Sequence, residues 1–428
     1  MTIPSSPSPR GDESCAPGAL SHVRVLDLSR ILAGPWATQL LADLGADVIK
    51  IERPGVGDDT RSWGPPYVKD REGNDTRDAA YFMCANRNKK SVCIDFTKPE
   101  GARLLREMAA HADIVVENFK VGGLEPYGLD YASLQALNPR LIYCSITGFG
   151  QTGPYAARAG YDFLVQGLGG LMSVTGRADD DAGAGPLKVG VALTDVLTGL
   201  YASNAILAAL AHREISGAGQ HIDLGLLDVQ VATLANQAMN YLYGGTVPHR
   251  LGNAHPNVVP YQDFPTADGD MILAVGNDAQ FARLCQVLAH PEWADDPRFA
   301  TNAARVAHRA TLVPLLRAVT VQRGTDAWVA LLEAAGVPCG PINTVDRVFR
   351  DPQVVARGLK LELPHPVAGS VPLVANPIRL SATPATYRGA PPLLGEHTHD
   401  MLASLLGLDA AALERLTADG VIGSSTLR

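Results

Sequence analysis

The sequence predicts an α/β protein, with a mainly parallel sheet covered by helices on both faces and then a smaller α/β domain. Short β-branched runs alternate with amphipathic stretches as far as residue 225, which is the pattern of a parallel sheet with crossover helices. Glycine and proline punctuate the ends of those stretches. Beyond residue 226 helical stretches predominate around one hairpin signal, and beyond 340 the chain is rich in proline and β-branched residues.

The elements follow in order. Residues 23–28 form a strand, Gly34-Pro35 opens a helix through Ala37, Leu40, Leu41 and Leu44, and 47–51 is the next strand. Proline suits the first helical turn because its missing N–H has no partner there, and Gly45 is placed to end the helix. The unit recurs: strand 91–96, helix 98–111, strand 113–117, a shorter helix 131–137, strand 141–146. The segment 160–192 is glycine-rich and irregular. A long apolar helix covers 194–212, a strand 220–224, and a helix runs on to about 243. Asp268-Gly269 marks a hairpin, helices cover 278–288 and 309–336, and a last helix covers 397–406. The expected domains are a tail at 1–20, a large domain at 21–225, a small one at 226–335, and a segment 336–428 that returns to the first.

Composition narrows the function. A chain of 428 residues, 46% hydrophobic, buries a substantial core. A net charge of −8 argues against nucleic acid or an anionic membrane as the main partner, though it leaves room for a local basic pocket. The six cysteines, at 15, 84, 93, 144, 285 and 339, form no C-x-x-C pair and read as buried, reduced thiols. The Ser/Pro/Gly-rich start has no apolar h-region, so a disordered tail is expected rather than a signal peptide. No apolar run free of glycines or charges reaches the length of a membrane span. A cytoplasmic protein is the expectation.

Three features invite a chemical reading. Gly148-Phe-Gly150-Gln-Thr-Gly153 matches G-x-G-x-x-G after a strand, but Pro154 follows where a dinucleotide site needs a helix, so a tight loop lining a pocket is expected. His397 and His399 are two apart, a spacing that shares no helix face; surface capping is expected there and no metal site. Asp195 follows Gly190-Val-Ala-Leu-Thr194 in the first turn of the long apolar helix. It reads as a carboxylate offsetting the helix macrodipole. From the residues alone that is the favoured reading; the functional one is a nucleophile kept ionised by that helix end, able to attack a thioester.

Eight segments together resemble the class III CoA-transferases. They are Val25-Leu-Asp-Leu-Ser-Arg30-Ile-Leu-Ala-Gly-Pro35, Leu44-Gly-Ala-Asp-Val-Ile-Lys-Ile-Glu-Arg53, Asn86-Arg-Asn-Lys-Lys-Ser91, Val116-Glu-Asn-Phe119, Gly190-Val-Ala-Leu-Thr-Asp195, Val259-Pro-Tyr-Gln262, Val337-Pro-Cys-Gly-Pro341 and Pro392-Leu-Leu-Gly-Glu-His-Thr398. The likeness runs from about residue 22 to the C-terminus. Residues 55–66 and 143–148 look most like the succinate–hydroxymethylglutarate branch.

The resemblance implies a Rossmann-like large domain, a ring-shaped subunit and an interlocked homodimer. It implies CoA transfer between acids, with succinyl-CoA or another dicarboxylyl-CoA as donor. Coenzyme A would be both substrate and covalent intermediate, with no permanent cofactor, no metal and no nucleic-acid or membrane partner. Asp195 matches the family's catalytic aspartate. Ile31, Leu32, Arg53, the run Ile94, Asp95, Phe96, Thr97, then Asn118, Phe119 and Lys120 match CoA-contacting positions. Pro126 stands where formyl-CoA transferase has a phosphate-binding arginine; Lys120 or Lys98 is the expected substitute. A run of glycines found there is absent near 255–262, which makes oxalate a poor substrate. Candidate cations for a distal carboxylate are Arg30, Arg158, Lys188 and His255, with Tyr161 a further substrate-side candidate. The rivals are a 2-methylacyl-CoA racemase of the same fold and a non-enzymatic CoA-binding protein. The racemase needs a second base; a Gly-His-Asp triplet supplies it in that branch, and this chain has Gly160-Tyr161-Asp162. A tyrosine is a poor base at neutral pH.

Overall fold

Alternating apolar positions in the first strands bury both sides of one sheet. The computed structural model describes residues 17–424. The strands are β1 (Arg24–Asp27), β2 (Asp47–Glu52), β3 (Lys89–Ile94), β4 (Ile114–Glu117), β5 (Ile142–Thr147), β6 (His221–Gly225) and β7 (Ile422–Gly423). Their spatial order is β7-β3-β2-β1-β4-β5-β6. All pairs are parallel except β7 with β3. On one face Leu26, Ile49, Val92 and Val115 pack with Leu104 and Leu105 of α2 (Pro99–Ala110). On the other, Val25, Val48, Ile114 and Ile142 pack with Ala37 and Leu41 of α1 (Ala33–Asp43). The same face takes Ala202 and Ile206 of a long helix, Leu193–Ser216. The sheet is thus mainly parallel and covered on both faces, as expected.

The described residues divide into two compact units, 17–165 with 191–233 and 358–424, and 166–190 with 234–357. The boundaries expected at 225/226 and 335/336 thus lie elsewhere. Residues 226–233 stay with the large unit because helix Leu226–Ala232 directly follows β6 and buries Leu226 beside Val25 and Ile146. The second unit carries an antiparallel sheet of Cys339–Pro341, Asp270–Ala274 and Tyr261–Pro265, over a core including Phe264, Met271, Phe281 and Trp328.

Several local expectations need correction. Residues 226–243 and 309–336 are each two helices, the latter Arg309–Thr320 and Thr325–Ala334. Hairpins at Tyr67–Lys69 with Asp75–Ala79, and at Lys360–His365 with Gly369–Val374, were not anticipated. Of the expected tail, 1–16 lie outside the described residues, but Leu20 is buried and its N–H bonds Leu44 O at 2.9 Å. Cys15 also lies outside them, and Cys84 is exposed rather than buried. Helix Leu193–Ser216 is long and apolar enough by composition to cross a membrane, yet its inner side is packed in the core.

Buried charge ties β2 to the loops beside it. Lys50, fully buried, pairs with Asp58 at 2.8 Å and donates to Ser29 O at 2.9 Å. Burial pushes the Asp58 carboxyl up, but Lys50 and Thr60 outweigh it and hold it at about 2. Removing one partner of such a pair strands the other without solvent. K50M is therefore expected to lower unfolding free energy by about 3–5 kcal/mol. The double variant K50M/D58N should lose less, as read by urea titration.

Candidate active site

Strand order reverses between β1 and β4. In such sheets the crevice outside the carboxyl ends of the strands at this point receives ligands. Nearly all the CoA-contacting positions inferred from resemblance lie there: Ile31 and Leu32 after β1, Arg53 after β2, Asp95, Phe96 and Thr97 after β3, and Asn118, Phe119 and Lys120 after β4. Ile94 is the buried last residue of β3.

The loops are tied to each other. Asn118 clamps Arg30, accepting from its N–H at 2.9 Å and donating to its carbonyl at 2.7 Å. Ile31 has φ of 72°, a left-handed conformation that is strained for a β-branched residue. Its N–H reaches both Asp58 oxygens at 3.3 Å. Phe96 meets Phe119 edge-on at 5.6 Å, and the Arg30 guanidinium lies 5.3 Å over Phe119 while pairing with Asp59 at 3.0 Å. Thr97 turns back on Asp95 through its hydroxyl at 2.6 Å. Arg53 is exposed and has no side-chain partner among the described residues. Lys120 is exposed, whereas Lys98 donates to Asp419 O at 2.5 Å.

Asp195 sits in the first turn of helix Leu193–Ser216. One turn on, a Cβ at Gly199 would meet Ala33 O at 2.7 Å and Trp36 at 3.0 Å, so only glycine lets this helix lie so close to α1. That approach sets Gly199, one turn beyond Asp195, against Ala33, the residue that follows Ile31–Leu32. Asp162 caps the helix from a distance, accepting from Thr194 N–H at 2.8 Å and Asp195 N–H at 3.3 Å. Asp162 is itself placed by a contact of two backbones, since a Cβ at Gly148 would meet Gly160 Cα at 2.5 Å. Thr194 Oγ1 donates to Gln230 at 2.7 Å and pins the turn.

The electrostatics correct one expectation. The helix end does not hold Asp195 low: burial, and then the negative Asp162, push it up to about 7. Desolvation and a like charge outweigh a dipole worth about 0.3–1 kcal/mol. Tyr81 shares the region, raised to about 12 by burial and then by Asp195.

The candidates for a distal carboxylate differ in what holds them. Arg158 is exposed and stacks over Tyr155 at 4.4 Å, and Tyr161 is 61% exposed. Lys188 and His255 belong to the second unit. His255 Nδ1 accepts from Asn257 N–H at 3.0 Å, and burial followed by Arg309 lowers its pKa. His397 is half-buried and bonds the Ser91 N–H at 3.3 Å, rather than capping at the surface. No metal-binding group of His, Cys, Asp and Glu occurs among the described residues. The G-x-G-x-x-G run forms turns, with helix Asp162–Leu168 beginning only after it. Sequence reasoning missed Asp162 and Tyr81 as neighbours of Asp195. Asp162 stood in the Gly160-Tyr161-Asp162 triplet, but its helix lies 32 residues on.

A parallel sheet with a switch-point crevice, and a half-buried carboxylate on the helix packed against α1, define a doubly wound fold of the α/β class. A sequence profile of CoA-transferase family III matches residues 20–398, and the chain belongs to that family. It is a CoA-transferase. It is 53% identical over 393 residues to succinate–glutarate CoA-transferase of Agrobacterium fabrum, covering 92% of this chain and 97% of that one. It is 46% identical over 403 residues to succinyl-CoA:glutarate CoA-transferase of Mus musculus, covering 94% and 90%. The crystal structure of a CAIB/BAIF family protein from Brucella suis superposes with a TM-score of 0.80 at 52% identity, over 91% of this chain and 100% of that one.

D162N keeps an oxygen acceptor for the helix N–H groups but removes the like charge. Its acid limb of the pH–rate profile is expected to move below the wild-type position near pH 7. The shift should be partial, because burial is the larger cause. An unmoved limb would show that Asp162 does not set the Asp195 titration.

Proposed function

We propose that this enzyme moves CoA from succinyl-CoA, or another dicarboxylyl-CoA, to an acceptor dicarboxylate such as glutarate, with Asp195 as the nucleophile. The placement of Asp195 in the first turn of the helix packed against α1 carries the reading. The substrates of the two curated relatives support the choice of acids.

The Asp195 carboxylate attacks the thioester carbonyl, giving a mixed anhydride and CoA thiolate. The thiolate attacks the aspartyl carbonyl, the donor acid leaves as its carboxylate, and an aspartyl-CoA thioester remains. The acceptor carboxylate attacks that thioester and releases thiolate again. Attack of thiolate on the acceptor's acyl carbon yields the new CoA ester and frees Asp195. Each step exchanges one activated acyl bond for another, so no hydrolysis is needed. Burial serves this chemistry, since a poorly solvated carboxylate is a better nucleophile and water would destroy the intermediates. Backbone N–H groups of the glycine-rich loops are candidates for holding the oxyanions.

In this reading Ile31, Leu32, Ile94–Thr97, Asn118 and Phe119 seat the CoA body, and Arg53 and Lys120 take its phosphates. Arg158 is a candidate cation for the distal carboxylate, being exposed and without an ion pair among the described residues. The protein works in the cytoplasm as an interlocked homodimer of ring-shaped subunits, its site completed between subunits. A partner is supported by the outer face of helix Leu193–Ser216, where Leu200, Leu207 and Ile215 are exposed at 44%, 38% and 90%. Racemisation is disfavoured because Tyr161 stands where a histidine base is needed.

D195A and D195N are expected to abolish transfer from succinyl-CoA to glutarate while leaving the fold intact by circular dichroism. Wild-type enzyme incubated with succinyl-CoA alone should carry a hydroxylamine-labile adduct on the Asp195 peptide. Near-normal turnover in either variant would sink the mechanism. R53A should weaken CoA-ester binding by about 1.5–3 kcal/mol, roughly ten- to a hundredfold in Kd, with no change in the preferred acid. An unchanged Kd by calorimetry would remove Arg53 from the site.

A further inference from the structure

The large unit buries six carboxylates: Asp27, Asp43, Glu52, Asp58, Asp78 and Glu117. Five have a lysine or arginine partner at 2.5–3.1 Å. Glu117, only 6% exposed, makes no ion pair among the described residues. A buried carboxylate without a cation is costly, and a fold that pairs every other one keeps this one for a reason beyond packing.

Its neighbours form a chain. Glu117 is the last residue of β4, and Phe119 N–H donates to its Oε2 at 2.8 Å. Ser145 is its register partner on β5, and its hydroxyl acts to hold the carboxyl's pKa down. Ser145 Oγ lies 2.9 Å from His221 Nε2 on β6. The imidazole stacks on Tyr131 with ring centres 4.9 Å apart. All four side chains line a cavity of about 230 Å³ beneath the loop that follows β4. The other polar groups there are committed or lie outward. Asp130 accepts from the Ser133 N–H, Tyr143 donates to Leu129 O, and Asp223 accepts from Gln151 N–H. Lys120 and Glu125 are exposed at the rim.

We propose that Glu117, acting through Ser145 and His221, is a proton-linked positioning residue that sets the Asn118–Phe119 loop and thereby couples CoA-ester affinity to pH. This rests on the reading of that loop as part of the CoA site. With Glu117 ionised, the Ser145 hydroxyl donates to it and His221 Nε2–H donates to Ser145. The Phe119 amide then makes a charge-assisted bond, about twice as strong as a neutral one. When Glu117 takes a proton, its own O–H donates to Ser145. Ser145 turns to donate to His221 Nε2, and the imidazole carries its proton on Nδ1. One proton has entered, the chain has reversed, and the Phe119 amide is left on a neutral carboxyl. Burial, against the bonds from Ser145 and Phe119, raises Glu117 to about 7, while burial lowers His221 despite Asp223. The switch therefore falls near neutrality with the imidazole uncharged, and affinity is lost as pH falls through it.

The test is the Kd of CoA by calorimetry across about pH 5.5–8.5, in wild type, E117Q and S145A, with the wild-type/E117Q ratio cancelling the titration of CoA itself. The wild-type Kd should rise several-fold toward acid relative to E117Q, with its midpoint near 7, and the ratio should be flat on either side. S145A should move the midpoint upward, because it loses a bond that favours the ionised form; a merely structural residue would leave the midpoint in place. Identical pH profiles in wild type and E117Q, or an unmoved midpoint in S145A, would overturn the proposal. The ligand-free protein gives an independent readout: a protonated-carboxyl infrared band, present in wild type minus E117Q, should vanish as pH rises through about 7. Absence of that band overturns the relay. Its presence with no CoA binding at any pH overturns the CoA-site reading instead.

Discussion

The lattice of buried ion pairs beneath the loop after β1 is the constraint on which the site depends. Lys50 with Asp58, Lys89 with Asp27, and Arg61 with Glu52 and Asp78 lie side by side under the crevice. Lys50 bonds Ser29 O and Lys89 bonds Pro35 O at 2.9 Å, so two lysines hold both ends of the loop that contains Ile31 and Leu32. The same lattice reaches the far end of the chain. Arg61 donates to Pro392 O at 3.1 Å, and Ser91 links Glu52 at 2.6 Å to the Gly395 N–H at 2.8 Å. Such pairs add little net stability compared with apolar packing, but they admit few alternative arrangements. Here that specificity holds Ile31 in a backbone conformation it would not adopt alone.

Two carboxylates outside this lattice carry the proposed chemistry. Among the described residues Asp195 and Glu117 have no cationic partner, and both are raised toward 7, first by burial. They occupy opposite faces of the sheet. Asp195 is carried by the helix packed on the α1 face, and Glu117 shares its face with Tyr143, Ser145 and His221. The crevice between β1 and β4 lies above both. In the proposed scheme a titration on either side is felt by the same loops, through the Asp195 turn on one face and the Phe119 amide on the other.

Much of the large unit was legible in the residues. The strands β1 to β6 and their helices alternate with a period that burial on both faces enforces, and Pro99 and Gly45 mark ends that the structure keeps. Asp195 was visible as a helix-start acid and, by resemblance, as a nucleophile. The hairpin at Lys360–His365 and Gly369–Val374 was not, because Pro364 and Pro372 sit within strands that read as irregular coil. The extent of the second unit was hidden for a related reason: residues 166–190 carry almost no periodicity and join it only through packing.

The sequence by itself determined the alternation of elements, the family to which the chain belongs, and the residue types at the site. Those are local matters of period, capping and motif. Tertiary structure alone decided the ionisation of the two acids and the neighbours that control it. Asp162 meets the Asp195 turn across 32 residues because Gly148 and Gly160 touch, and Glu117 meets His221 across two strand registers. A pKa depends on which solvent and which charges surround a group in space, and no spacing along the chain states that.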